Sequence, residues 1–140
     1  MKKRWIVLLL AVLLLVPAAF GKMKQWRWLS HYREAGDFVT ATGTVNHIAD
    51  SEYGLFLGIE DATAVFSDTA FVLRGKNREI VLEKGILEML QPGDQVTFTT
   101  HSWYPGDGYS MPIVAICVDG QWLLEFEEGH QNLLEYYRNE

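Results

Sequence analysis

The sequence predicts a mainly β protein, a small barrel with a helix inserted among its strands and another helix at its end. Three observations lead to this fold class. Apolar and polar residues alternate over several short segments, which is typical of half-buried strands. Turn residues separate these segments, and a helical segment falls between the third and the fourth. The chain has 140 residues, 49% of them apolar, which suffices for one packed domain.

The first two strands are predicted from their alternation. Residues 38–48 alternate between an apolar face and a face of threonines, with Val39, Ala41, Gly43 and Val45 against Thr40, Thr42 and Thr44. The same alternation places His47 on the apolar face, and Gly43 predicts a bulge or a sharp bend. After a turn at residues 50–52, residues 53–60 alternate again, with Tyr53, Leu55, Leu57 and Ile59 on one face.

A helical segment follows a short third strand at residues 70–74. Asn77 is the predicted N-cap of a helix over residues 78–84. Gly85 suits the left-handed residue that ends such a helix. A further helical turn is predicted at residues 86–90.

The fourth strand is predicted at residues 95–101, after a Gln-Pro-Gly-Asp turn at residues 91–94. Val96 and Phe98 point inward in this strand. His101 falls on the opposite face, together with the threonines of the strand.

The last third of the chain supplies a hairpin and a helix. Residues 112–118 are apolar on both faces, as expected of a buried strand. Asp119 and Gly120 predict a type I′ turn into a short strand at residues 121–124. Residues 125–138 predict an amphipathic helix, whose buried stripe comprises Phe126, Leu133, Leu134 and Tyr137.

This order of elements is the plan of the OB-fold, a five-stranded Greek-key barrel with a helix between its third and fourth strands. Three stretches carry distinctive turn motifs: Leu-Gln-Pro-Gly-Asp-Gln-Val-Thr at 90–97, Pro-Gly-Asp-Gly-Tyr with Met-Pro-Ile-Val within 105–114, and Val-Asp-Gly at 118–120. In these motifs the chain resembles a group of small exported or membrane-anchored bacterial proteins with an OB-like barrel. The resemblance covers most of residues 38–137. It implies the fold and the location, and no activity comes with it.

The first 21 residues have the pattern of a signal peptide or a membrane anchor. Residues 1–4 are basic, and residues 5–20 form an uncharged apolar run. As a helix this run is about 24 Å long, less than the roughly 30 Å hydrocarbon core of a bilayer. Cleavage after Ala18 or Gly21 and retention as an anchor both fit the pattern, whereas a buried soluble helix is the competing interpretation. Either export outcome places the rest of the chain on the extracytoplasmic face of the cell membrane or outside the cell.

Residues 22–36 predict a basic, aromatic helix next to the membrane. Its predicted stripe comprises Met23, Trp26, Leu29 and Arg33. Trp26 and Trp28 suit the membrane interface, where indole rings are favoured. The alternative is a stalk helix whose tryptophans pack on the domain.

The domain at residues 37–140 is strongly acidic. From residue 34 onward, 5 Lys and Arg stand against 18 Asp and Glu, a formal charge of −13. Nucleic-acid binding requires cationic side chains that neutralise phosphates, so a nucleic-acid partner is not expected. The sequence has no glycine-rich phosphate or dinucleotide motif, and neither a cofactor nor a metal is predicted. The single cysteine, Cys117, is predicted to be an inert buried thiol.

The predicted ligand-binding region is the loop between the fourth and fifth strands. Trp103, Tyr104 and Tyr109 offer rings that stack on a sugar or a peptide. Asp107 offers hydrogen-bond acceptors, and His101 stands where the loop begins. The competing interpretation is that the loop glycines shape a turn and the rings cover the barrel mouth.

Two functions are compatible with these patterns. The first is a non-enzymatic binding or interaction module, held at the outer face of the membrane, with a peptide, a glycan or a partner protein as its ligand. The alternative is a small extracytoplasmic hydrolase that uses His101 and Asp107 as an acid–base pair, with or without a metal.

Overall fold

The computed structural model describes residues 29–61, 70–102 and 110–139. The strands are β1 (Phe38–Ser51), β2 (Gly54–Asp61), β3 (Ala70–Leu73), β4 (Gln95–His101), β5 (Ser110–Val118) and β6 (Gln121–Leu124). The helices are α1 (Lys76–Glu83), α2 (Ile86–Met89) and α3 (Phe126–Arg138). Residues 29–32 are also helical, and a 3-10 turn at Ala35–Asp37 leads from them into β1.

Five strands close into a barrel. β1 pairs antiparallel with both β2 and β4, β2 pairs with β3, and β4 pairs with β5. A parallel pairing of β3 with β5, from Ala70 opposite Ser110 to Val72 opposite Pro112, closes the ring. β6 forms a hairpin with β5 outside the ring. This circuit, with α1 and α2 between β3 and β4 and α3 at the end, confirms the predicted OB-like barrel.

The barrel interior is a single apolar core. The inward residues of β2 and β4 are those that the alternation predicts, namely Leu55, Leu57, Ile59, Val96 and Phe98. The Phe71 and Phe98 rings pack edge to face, with their centroids 4.8 Å apart. Val81, Ile86 and Leu90 add the apolar sides of α1 and α2 to this core.

Two predicted turns are confirmed by their backbone angles. In the Gln91–Asp94 turn, Gly93 has φ +102° and the Asp94 N–H donates to the Gln91 carbonyl at 3.0 Å. Asp119 and Gly120 have φ +53° and +75°, the pair of positive values that a type I′ hairpin requires. The register of β5 and β6 is therefore set by local turn chemistry.

The predicted orientation of His47 is wrong. β1 carries a bulge between Val45 and His47, which leaves Asn46 without a partner on β2. One extra residue reverses the alternation after it, so His47 is exposed and Ile48 packs on the core instead. The bulge also lies three residues beyond the predicted position at Gly43. Glycine is needed at position 43 for a different reason, because a Cβ there would lie within 2.6 Å of the Ile59 side chain.

The predicted N-cap is also wrong. α1 begins at Lys76 after Gly75, so Asn77 lies inside the first turn and is 1% exposed. Its side-chain amide donates to the Gly129 carbonyl at 3.0 Å, and its side-chain oxygen accepts from Asn132 at 3.0 Å. Asn77 therefore joins α1 to α3, since a buried amide needs partners wherever it lies.

Several predicted features lie outside the described residues. These are the leader at residues 1–21, Trp26 and Trp28 of the juxtamembrane helix, and Trp103, Tyr104, Asp107 and Tyr109 of the loop. Among the residues that the structure describes, no helix is both long and apolar enough to cross a bilayer.

α3 lies directly against the backbone of β5. A Cβ on Gly129 would overlap the Val114 carbonyl oxygen, so only glycine permits this approach. Val114 is bulged out of the β4–β5 ladder, because Thr99 pairs with Ala115 and Thr100 with Ile113. The bulge moves Val114 to the outside of the barrel, where α3 covers it.

Gly129→Ala tests this contact. The added methyl group must push α3 away from β5, and we expect a loss of about 1–3 kcal/mol in the free energy of unfolding. Urea unfolding of the full chain in mild detergent, followed by circular dichroism, measures the loss. Gly36→Ala is the matched control, because nothing lies within 4 Å of a Cβ there. Equal stability of the two variants would contradict the proposed contact.

Candidate functional site

His101, the one predicted site residue within the described part of the chain, is buried. It is 3% exposed and faces away from Val96 and Phe98, as the alternation predicts. Its Nε2 lies 2.7 Å from the backbone carbonyl of His31. The ring packs edge to face on Tyr32 and Phe38, at centroid distances of 5.2 and 5.1 Å.

A second buried histidine makes the same kind of contact. His130 of α3 is 8% exposed, and its Nε2 lies 2.7 Å from the backbone carbonyl of Tyr32. Its ring stacks on Phe126 at 5.2 Å and meets Phe38 at 5.0 Å. Two rings from distant elements thus bind two consecutive carbonyls.

These carbonyls belong to the end of the helical residues 29–32, where backbone oxygens lack a partner within the helix. Each imidazole donates its Nε2–H, which removes the cost of burying an unpaired carbonyl. We call His101, His130 and the two carbonyls the histidine clamp. We call residues 22–36 the N-terminal segment. The clamp binds this segment to the outside of the barrel at His31 and Tyr32.

Tyr32 is the centre of the second apolar core, which the clamp closes. This outer core comprises Tyr32, Phe38, Val114, Phe126, Leu133, Leu134 and Tyr137. Burial raises the pKa of the Tyr32 phenol well above its ordinary value of 10.0, and the neighbouring Tyr137 raises it further, against a smaller opposing effect of Arg74. A hydrogen bond joins the Tyr32 and Tyr137 side chains.

Two members of the predicted N-terminal stripe, Met23 and Trp26, lie outside the described residues. Of the other two, Leu29 is half-buried and Arg33 is exposed, and the buried residue next to them is Tyr32. In α3, Leu133 is buried as predicted, but His130 and Gly129 are buried too. The burial of His130 could have been predicted, because residues 126, 130, 133, 134 and 137 share one helical face.

Four glutamates near strand ends and at the start of α3 are exposed, namely Glu60, Glu125, Glu127 and Glu128. Cys117 was predicted to be buried and is half-buried on β5, because it lies on the outer face of that strand. Within the three described ranges, no group of three His, Cys, Asp or Glu side chains is placed to hold a metal ion.

The outer face of β1 and β4 carries paired hydroxyl groups. Thr40 and Thr99 are opposite each other with their hydroxyl oxygens 2.8 Å apart, and Thr42 and Thr97 form a second pair at 3.1 Å. This confirms the predicted threonine face of β1 and shows its partner on β4. We call these four residues the threonine face.

A shallow hollow of about 240 Å³ lies at one end of the threonine face. We call it the β6 hollow. It is lined by Thr40, Thr99, Ala115, Trp122, Glu125 and Phe126. Trp122 is 43% exposed, which is unusual for so large an apolar ring. The hollow thus brings together a hydroxyl pair, two aromatic rings and one carboxylate.

No protein-family model matches this chain, and no curated protein is found that resembles it. A barrel of this kind hosts many unrelated functions, so its side chains and not its fold determine what it does.

The clamp is tested by His101→Phe and His130→Phe, which keep a ring and remove the donor. Each removes the imidazole hydrogen bond to one of the two carbonyls, at a cost of about 1–3 kcal/mol. We expect tryptic cleavage after the exposed Arg33 to become about ten to a hundred times faster. His47→Phe on the exposed side of β1 is the control and keeps the parent rate. Parent-like cleavage of both clamp variants would show that the bonds do not hold the segment.

Because the Tyr32 phenol is buried, we predict that the protein loses stability at alkaline pH. Above pH 10 the unfolded chain releases this phenol proton while the folded chain keeps it, so rising pH favours unfolding. Above pH 10, Tyr32 lowers the free energy of unfolding by up to about 1.4 kcal/mol for each pH unit. Below pH 10 it makes no pH-dependent contribution. We expect Tyr32→Phe to lower stability at pH 7 and to flatten the slope between pH 10 and 11. Phe38→Leu loosens the same core without removing a phenol and should keep the parent slope.

Proposed function

We propose that the protein is an extracytoplasmic binding module, an acidic OB-like barrel held close to the outer face of a membrane by its N-terminal segment. It is non-enzymatic in this proposal. The observation that carries it is the histidine clamp, because the clamp binds the backbone of His31 and Tyr32, close in sequence to the apolar run, to the folded domain.

The clamp limits how far the barrel stands from the apolar run. Only residues 21–30 separate that run from His31. Ten residues span at most about 35 Å when fully extended, and about 15 Å as a helix. If the run stays in the bilayer, the barrel lies within this distance of the membrane surface. A retained leader therefore gives a membrane-proximal domain and not one on a long tether.

The charge distribution supports the same arrangement. Residues 1–33 carry seven Lys and Arg and no acid, whereas the chain from residue 34 onward carries −13. Anionic headgroups attract the basic segment and repel the acidic barrel. The outer faces of the barrel are thus kept off the lipid surface and open to a ligand.

Binding is supported better than hydrolysis by the geometry of His101. An acid–base catalyst must reach a substrate proton within hydrogen-bond distance. The His101 ring is 3% exposed and its Nε2 is engaged by the His31 carbonyl. The β6 hollow, in contrast, offers hydrogen-bonding groups and an exposed indole to solvent. The loop with Trp103, Tyr104, Asp107 and Tyr109 remains a predicted second contact region for a ligand.

Thiol labelling of intact spheroplasts tests the location. Cys117→Ser removes the single cysteine, and Glu127→Cys then places one thiol on the exposed side of α3. We expect a membrane-impermeant maleimide to label this variant without lysis, and carbonate extraction to leave it in the membrane if the leader is retained. The mass of the recovered chain distinguishes retention from cleavage after Ala18 or Gly21.

Two controls sharpen this test. Cys117→Ser alone must remain unlabelled, and Leu9→Asp with Leu14→Asp should abolish export by breaking the apolar run. Labelling that requires lysis, with the parent protein in the soluble fraction, would overturn the proposed location.

A further inference from the structure

We infer that the β6 hollow is a saccharide-binding site, which takes one ring of a neutral pyranose chain. The inference deepens the proposed binding function and rests on it. Its basis is the combination of hydroxyl pairs, an exposed indole and a carboxylate at one place on the outer sheet.

Strand pairing builds the site across four strands. Thr40 is opposite Thr99, Thr99 is opposite Ala115, and in the next row Cys117 is opposite Trp122. These residues all lie on the outer face, because they alternate with the core residues Val96, Phe98, Ile116 and Val118. Ala115 is the small residue that leaves room between the threonines on one side and Trp122 on the other.

The hydroxyl pair suits a ligand that both donates and accepts hydrogen bonds. In the Thr40–Thr99 pair one hydroxyl donates to the other, so one O–H and several lone pairs remain for a ligand. The Glu125 carboxylate accepts charge-assisted bonds from further hydroxyl groups. A saccharide has hydroxyl groups on adjacent ring carbons, and each of them both donates and accepts hydrogen bonds.

The indole suits the other surface of such a ring. Trp122 presents a flat apolar face at 43% exposure, and Phe126 adds a second ring at the edge of α3. A pyranose with equatorial hydroxyl groups has a matching face of C–H bonds, which desolvates the indole on contact. A peptide side chain would use the rings but would leave most of the hydroxyl groups unmatched.

Charge excludes anionic ligands. Glu125 lines the hollow, and Glu127 and Glu128 follow within three residues on the exposed side of α3. Among the described residues, no Lys or Arg lines the hollow. Neutral hexoses and N-acetylated hexosamines are therefore favoured over uronic acids and phosphorylated sugars.

The size predicts weak binding of a single ring. About 240 Å³ is below the roughly 300–1,000 Å³ of pockets that enclose drug-sized molecules. For so few ligand atoms we expect a Kd on the order of 1 mM. Repeated rings along a polymer would raise the apparent affinity only through multivalency.

Titration calorimetry and saturation-transfer NMR with cellotetraose and chitotetraose test the inference on the full chain. A detergent without a sugar headgroup is required, because a glycoside detergent would compete. We expect Trp122→Ala to weaken binding more than tenfold and Thr40→Val with Thr99→Val to weaken it about five- to tenfold. The double variant replaces both partners of a hydroxyl pair, so it should keep the fold.

Two matched controls change residues that do not line the hollow. Thr42→Val with Thr97→Val removes the neighbouring hydroxyl pair, and Tyr53→Ala removes an aromatic ring that is 73% exposed in the β1–β2 turn. Both should bind within twofold of the parent.

The inference is overturned if neither tetrasaccharide binds or if Trp122→Ala binds the sugars like the parent. It is also overturned if the hollow is a cation site, that is, if tetramethylammonium binds through Trp122 when the sugars do not. Failure here is distinguishable from failure of the proposed location. Export without saccharide binding rejects only this inference, and saccharide binding by a cytosolic chain rejects only the location.

Discussion

Two hydrogen bonds between buried imidazoles and backbone carbonyls hold the N-terminal segment on the barrel. A helix end exposes unpaired carbonyls, and such groups cannot be covered by apolar rings unless a donor reaches them. His101 and His130 supply those donors from β4 and α3, at 2.7 Å each. Tyr32, Phe38 and the apolar side of α3 can therefore close over the junction as an outer core. The domain has two cores, and the second includes Tyr32, which precedes the first strand.

Local chemistry explains why much of the barrel was predictable. Alternation identified the inward faces of β2 and β4, and the Asp119-Gly120 pair identified the last hairpin. Each of these signals lies within a few residues of the feature it specifies. His47 was assigned to the wrong face because the bulge at Asn46 arises from pairing with β2, where the Asn46 side chain lies over Gly58. Such a bulge has no local signature in the sequence.

The candidate sites were less predictable because they depend on distant partners. The sequence placed the threonines of β1 on one face, but their pairing with β4 and the arrival of Trp122 follow from the order of the strands. His130 was missed as a buried residue because its partner is 98 positions away along the chain. Similarly, the sequence around Asn77 predicts a helix N-cap. Its side chain instead binds α3, which begins 49 residues after Asn77. Contacts of this kind are fixed by topology and not by composition.

The clamp also sets the order in which the domain matures during synthesis. His31 and Tyr32 leave the ribosome first, whereas His130 belongs to α3 and follows Tyr32 by 98 positions. The junction therefore stays unassembled until α3 has been made, and the aromatic side chains around it remain available to water or to a chaperone for that whole period. A chain truncated before α3 would still contain the barrel strands, but Tyr32 would lack its contact with His130. Quality control that recognises exposed aromatic residues would thus discriminate finished from unfinished copies of this protein.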